Sequence, residues 1–106
     1  MAEQKFRCLN LMMNVGSIDL LEKAKGGQPV SFKTFRETIN HETGKKYSSS
    51  TISTRLRELV KAGAIEMVPI ESESGRKVVG YKITKSGSKA LELSYEYEKK
   101  LRNILK

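Results

Sequence analysis

The sequence predicts an α+β fold, mainly helical, with one small antiparallel β-hairpin and long helices at both ends. Three observations predict it. Apolar residues recur at helical spacing in several separate stretches. Two strand-like runs late in the chain flank a short polar loop centred on Gly75. A length of 106 residues is enough for one domain with its own core, so residues 1–106 are expected to form a single unit.

The first helix is expected from Glu3 to Asn14. Phe6, Cys8, Leu9, Met12 and Met13 share one broad side, with Arg7, Asn10 and Asn14 opposite. Gly16 and Ser17 interrupt the pattern, and Ser17 can cap a second helix carrying Ile18, Leu21 and Ala24. That helix stops in "KGGQP", where Gly26 suits a left-handed cap and Pro29 prevents continuation. "VSF" is a short extended piece. Ser31 then caps a helix that should turn Phe35 and Ile39 inward, and "HETGKKYS" is a turn around Gly44. A helix from Ser49 to Ala62 follows, with one of Ser48, Ser49 and Ser50 as its cap. "AIEMVPI" and "VVGYKIT" are the strands, and in the second Val79, Tyr81 and Ile83 alternate with Gly80 and Lys82. Thr84 caps a last helix that runs to the C-terminus. Two helices joined by a turn and followed by a hairpin suggest a helix-turn-helix with a wing.

At this point particular residues resemble a known family. A Leu-x-x-Leu helix ending in Ala-Gly (Leu56, Leu59, Ala62, Gly63) leads to an aliphatic strand start at Ile65. The second strand ends Tyr81, Ile83, Thr84, and Gly87 follows. This pattern, over roughly 17–91, resembles the winged helix-turn-helix transcriptional regulators of the MarR/HxlR/ArsR-like group. The resemblance implies a winged helix-turn-helix core over 16–84, with a recognition helix near 49–62 and a wing near 70–78. It also implies terminal helices over 1–15 and 85–106. The turn "NHETGKKYSSS" is longer than that of the simplest such proteins.

Charge points to a polyanionic partner. Lysine and arginine number 20 against 12 aspartate and glutamate, a net charge of +8. Nucleic acid is the first expectation and an anionic membrane surface the second. The excess is concentrated between Lys25 and Ile65, where eight basic residues face three acidic ones. Within the helix starting at Ser49, Ile52, Leu56, Leu59 and Val60 share one face. Ser50, Thr54, Arg57 and Lys61 form a stripe on the other, flanked by Thr51 and Glu58, with Ser49 at the helix start among the DNA-facing candidates. Short hydroxyls allow close approach to a major groove, and an arginine can contact guanine in bidentate fashion. Arg55, at the core edge, would reach sideways to a phosphate. Lys45 and Lys46 would sit by the backbone, and Arg76 and Lys77 in the wing would meet the minor groove or backbone. The plainer alternatives are a solvated lysine-rich surface and an ordinary charged hairpin.

The last helix has an apolar arc of about 200°, roughly twice what one core needs. It is expected to pack on two sides, forming a two-fold homodimer through Phe6, Leu9, Met13, Leu91, Tyr95, Leu101 and Leu105. The alternative is a monomer whose terminal helices cover each other. The expected function is a sequence-specific regulator of double-stranded DNA, acting as a repressor. A winged-helix protein-interaction module and a sequence-neutral architectural DNA-binding protein are the alternatives.

No enzyme, metal or cofactor signature is present: there is no zinc spacing and no phosphate-binding glycine loop. His41 reads as a helix C-terminal dipole partner. Cys8 is the sole cysteine, so no intrachain disulfide forms and a reducing cytoplasmic setting is expected. No signal peptide or membrane span is expected. No small-molecule effector can be named.

Overall fold

The computed structural model describes residues 5–105. Helix α1 (Arg7–Met13) leads to α2 (Ser17–Ala24), then strand β1 (Val30–Ser31) and a single helical turn, α3 (Phe32–Phe35). Next come α4 (Ser49–Lys61), strands β2 (Ile65–Glu71) and β3 (Lys77–Ile83), and α5 (Lys85–Ile104). Glu3 and Gln4, included in the expected first helix, lie outside the described residues. The three strands form an antiparallel sheet in the order β1-β3-β2, with Ile65 opposite Ile83 and Glu71 opposite Lys77. The architecture is α+β, with five helices and this small sheet among the described residues.

The core sits where α2, α4 and the start of α5 meet the base of the hairpin. Leu20, Leu21, Ala24, Phe35, Ile52, Leu56, Leu59, Ile65, Ile83 and Leu91 are buried in one cluster. Phe35 meets the ring edge of Tyr81 with centroids 5.8 Å apart, a favoured aromatic arrangement. Along β3 burial fades from Ile83 through half-buried Tyr81 to exposed Val79, because the hairpin grows away from the core. β2 is an edge strand, and this is where a sheet tolerates a residue such as Pro69 that has no N–H.

Three local expectations are corrected. Ser17 does not cap α2: Gly16 does, at φ 92, while Ser17 is the first helical residue and is fully buried. The left-handed residue after α2 is Gly27, at φ 78, and not Gly26. The helix opened by Ser31 stops at Phe35, leaving Ile39 46% exposed. Ile39 instead pairs with Lys46 across an antiparallel bridge. Asn40 N–H bonds Lys45 O at 2.8 Å, and Tyr47 N–H reaches Thr38 O at 3.4 Å. These cross-loop bonds take the backbone groups that a longer helix would have used.

Three of the residues that carried the family resemblance, Gly63, Thr84 and Gly87, meet at one joint. Gly63 turns the chain out of α4 at φ 82, and Thr84 N–H bonds Ala64 O at 3.0 Å. The Thr84 hydroxyl donates to Gly63 O at 2.6 Å and accepts from Gly87 N–H at 3.0 Å, capping α5. A Cβ on Gly87 would stand 2.0 Å from Ala64 O. The joint therefore requires glycine for space, not for backbone freedom.

Candidate nucleic-acid interface

Ser48 starts α4. Its hydroxyl oxygen accepts from Thr51 N–H at 3.1 Å and lies 2.9 Å from Thr51 Oγ1, as an N-cap should. Ile52, Leu56 and Leu59 turn inward and are buried. Ser49, Ser50, Thr54, Arg57 and Lys61 are exposed. Among the described residues, neither Arg57 nor Lys61 is in an ion pair. Thr51 is half-buried, and its hydroxyl faces the cap. A shallow groove of about 180 Å³ separates α4 from the hairpin, lined by Ser53, Leu56, Arg57, Val60, Met67 and Tyr81.

The loop before α4 carries exposed Lys45 and Lys46. Lys46 Nζ is 2.6 Å from Glu37 Oε2. The hydrogen bond from Lys46, and then its charge, hold the Glu37 carboxyl below its usual value. At the far end of the hairpin, Gly75 turns at φ 81 and Ser72 N–H bonds Arg76 O at 2.8 Å. Arg76 and Lys77 stand exposed beside that turn, as do Glu71 and Glu73.

The same loop is tied to α2 through Asp19, which is only 8% exposed. Its Oδ1 lies 2.6 Å from His41 Nδ1, and its Oδ2 accepts from the Tyr47 hydroxyl at 2.5 Å. The hydrogen bond to Asp19, and then its charge, raise the His41 pKa. Burial, followed by the same carboxylate, raises that of Tyr47, so the phenol stays protonated and donates. His41 is thus no dipole partner for a preceding helix: α3 ended at Phe35, and the imidazole closes a contact between α2 and the loop.

Arg55 was expected to reach toward a phosphate, and its geometry differs. Its side chain is 21% exposed, its Nε donates to Val15 O at 2.8 Å, and its Nη1 lies 2.6 Å from Glu58 Oε1. A position at the core edge leaves the guanidinium within reach of the α1–α2 corner, and it binds there. Leu91, grouped with the expected dimer-interface residues, is 4% exposed and belongs to the hydrophobic core. It lies close to the start of α5, where that helix still covers the sheet. Phe6, Leu9, Met13, Leu101 and Leu105 are exposed. Tyr95 is largely exposed and its hydroxyl donates to Glu22.

Asp19, Tyr47 and Val15 entered no sequence expectation. Asp19 in the first turn of α2 reads as an ordinary dipole partner, and nothing nearby in sequence announces its loop contacts. Among the described residues no cluster of three or more His, Cys, Asp or Glu side chains comes together, and no helix is long and apolar enough to cross a membrane.

No family model matches the chain, and no curated protein matches it by sequence. Solved structures do match. A protein assigned as a transcriptional regulator in Thermoplasma acidophilum superposes with a TM-score of 0.68 at 19% identity, covering 93% of this chain and 91% of that one. A PadR-like transcriptional regulator of Bacillus cereus superposes with a TM-score of 0.69 at 21% identity, covering 92% and 97%. These likenesses do not single out the MarR, HxlR or ArsR groups. At such identities they establish the architecture, and the fold of this chain is a winged helix-turn-helix.

Proposed function

We propose that the chain is a sequence-specific, double-stranded DNA-binding transcriptional regulator that represses by occupying a promoter-proximal site. One observation carries the reading. The stripe Ser50, Thr54, Arg57 and Lys61 lies exposed along α4, inside the most basic part of the chain. Short hydroxyls at a helix start let it approach base edges, and the arginine has the reach and fork for guanine. Lys45 and Lys46 flank the helix where the sugar-phosphate backbone would run. Arg76 and Lys77 would lie on the minor groove or backbone. The description of both structural neighbours as transcriptional regulators supports this.

The active form we propose is a cytoplasmic homodimer built from the terminal segments 1–15 and 85–106. Every residue from Tyr95 to Leu105 is exposed, including Tyr97, Leu101, Ile104 and Leu105. Apolar side chains on a helix that has left its own core call for a second protein surface. Two-fold pairing would set two copies of α4 one helical turn of DNA apart, on a roughly palindromic site. Enrichment of bound duplexes from a random pool tests the function. It should return a palindrome with two half-sites, and an unstructured pool would refute specificity.

A second reading, a winged-helix protein-interaction module, draws on exposed Met67 and Val79 beside the groove. Gel shifts on mixed genomic fragments at about 50 and 200 mM salt separate the readings, because phosphate contacts make duplex affinity fall steeply across that interval.

A further inference from the structure

The corner between α1 and α2 is gripped by side chains that belong to α4 and the loop before it. Asn14 ends α1, and Gly16 turns the chain at φ 92. Arg55 Nε donates to the carbonyl of Val15 at 2.8 Å, while Nη1 meets Glu58 Oε1 at 2.6 Å. The same Glu58 oxygen accepts from Asn14 Nδ2 at 3.4 Å. A Cβ on Gly16 would touch Arg55 Cγ and the Tyr47 ring, each at 3.6 Å. Polar contacts and packing thus fall on three consecutive residues of the corner.

The chemistry suits fixing a direction more than binding an anion. A guanidinium is a rigid fork, and this one has two donor directions committed, one to a backbone carbonyl and one to a carboxylate. Glu58 neutralises its charge in place. A lysine there would meet both partners only through one freely rotating ammonium, without the fixed plane of the fork. The corner leads directly into α1, which with its cap residue presents exposed Phe6, Leu9 and Met13. The other end of the linkage is the helix that carries Ser50, Thr54, Arg57 and Lys61.

We propose that Arg55 is a positioning residue for duplex recognition. It bolts α4 to the α1–α2 corner, so that the tilt of the outward stripe follows the arm that α1 offers to a second copy. This rests on the duplex-reading role given to α4 above, and goes beyond it by making half-site spacing depend on an intrachain contact.

One arm of the test needs no DNA. Cys8 is the sole cysteine and is exposed on α1. With Ser50→Cys added, spin labels report the distance from α1 to α4, and dilution into unlabelled protein leaves only intrachain distances. The parent should give one narrow distribution. Arg55→Gln and Arg55→Lys should broaden it, and so should Glu58→Gln, which keeps the arginine but removes its carboxylate. An unchanged width in these variants, with native helix content, overturns the proposal.

In the second arm, duplexes with two half-sites at varied spacing are titrated. Arg55→Gln should lose preference among spacings by roughly tenfold, at the upper part of what coupling mutations achieve, and keep the parent's salt slope. A slope shallower by about one would make Arg55 a phosphate contact and overturn the proposal. If the parent binds no duplex at all, the regulator reading fails, while the distance arm still decides whether Arg55 holds the corner.

Discussion

Ser48 opens α4 and Thr84 opens α5 in the same way, each hydroxyl accepting a backbone N–H of the first turn. Both helices bury aliphatic side chains on an inner face, Ile52, Leu56 and Leu59 in α4 and Leu91 in α5. They differ on the outer one. Along α4 the exposed side holds Ser49, Ser50, Thr54, Arg57 and Lys61, groups that water satisfies and a polyanion satisfies better. Along the last half of α5 and its cap it holds Tyr97, Leu101, Ile104 and Leu105 beside lysines and glutamates. Water is a poor neighbour for that second set. An exposed face thus says what kind of partner would suit it: for α4 a charged, hydrogen-bonding surface, and for α5 an apolar one.

The largest expected effect would break the comparison at its root. Gly87→Ala forces a methyl against Ala64 O and should lower the unfolding free energy by about 3 kcal/mol, the upper range for overpacking. Denaturation with urea reads this, and stability equal to wild type would show that the joint can open.

Leu101→Glu strikes the apolar side alone. It should cost at least about 2 kcal/mol of association, and sedimentation at micromolar concentration should shift to a monomer with helix content intact. A dimer that persists would place the interface elsewhere.

Arg57→Ala strikes the polar side. It should cost about 1–3 kcal/mol on the selected duplex and relax one base preference, leaving subunit association untouched. Lys46→Ala should weaken all duplexes alike and make the salt slope shallower by about one. Equal losses on specific and random DNA in both variants would remove base reading from α4.

The smallest effect concerns the tie between α2 and the loop ahead of α4. Asp19 raises the His41 pKa in the folded chain, with Glu42 and Glu22 adding to it. A raised pKa means that folding favours the protonated ring. The stabilisation is therefore complete below the unfolded histidine value, near ~6.5, and is lost as pH rises through the folded value. The stability gap between wild type and His41→Asn should be wider at about pH 5.5 than at about pH 8.5. A gap independent of pH would show that the imidazole contributes only a neutral hydrogen bond.

How much could be read in the residues follows the reach of the forces involved. The span of α4 was legible to within one residue, because its periodicity and its serine cap are local signals. So were the hairpin and the cap at Thr84. The length of α3 was not: Phe35 and Ile39 have helical spacing, but a bridge from Ile39 to Lys46 competes for the backbone. The core position of Leu91 was hidden by an apolar arc whose inner and outer parts look alike in sequence. The partners of Asp19 lie 22 and 28 positions along the chain, and Arg55 reaches back 40 positions to Val15. No window of periodicity sees such contacts. Of the candidate interface, the exposed stripe of α4 was foreseen, and the bond from Arg55 to Val15 O was not.

The borders of the sheet carry a consequence for assembly. On one side β1 has only two residues, and on the other β2 is interrupted by Pro69. Neither border offers an unbroken row of amides for a foreign chain to extend. Were copies to crowd side by side, as they would along the duplex proposed above, their wings would not fuse into a continuous ribbon, and self-association would fall to helical surfaces.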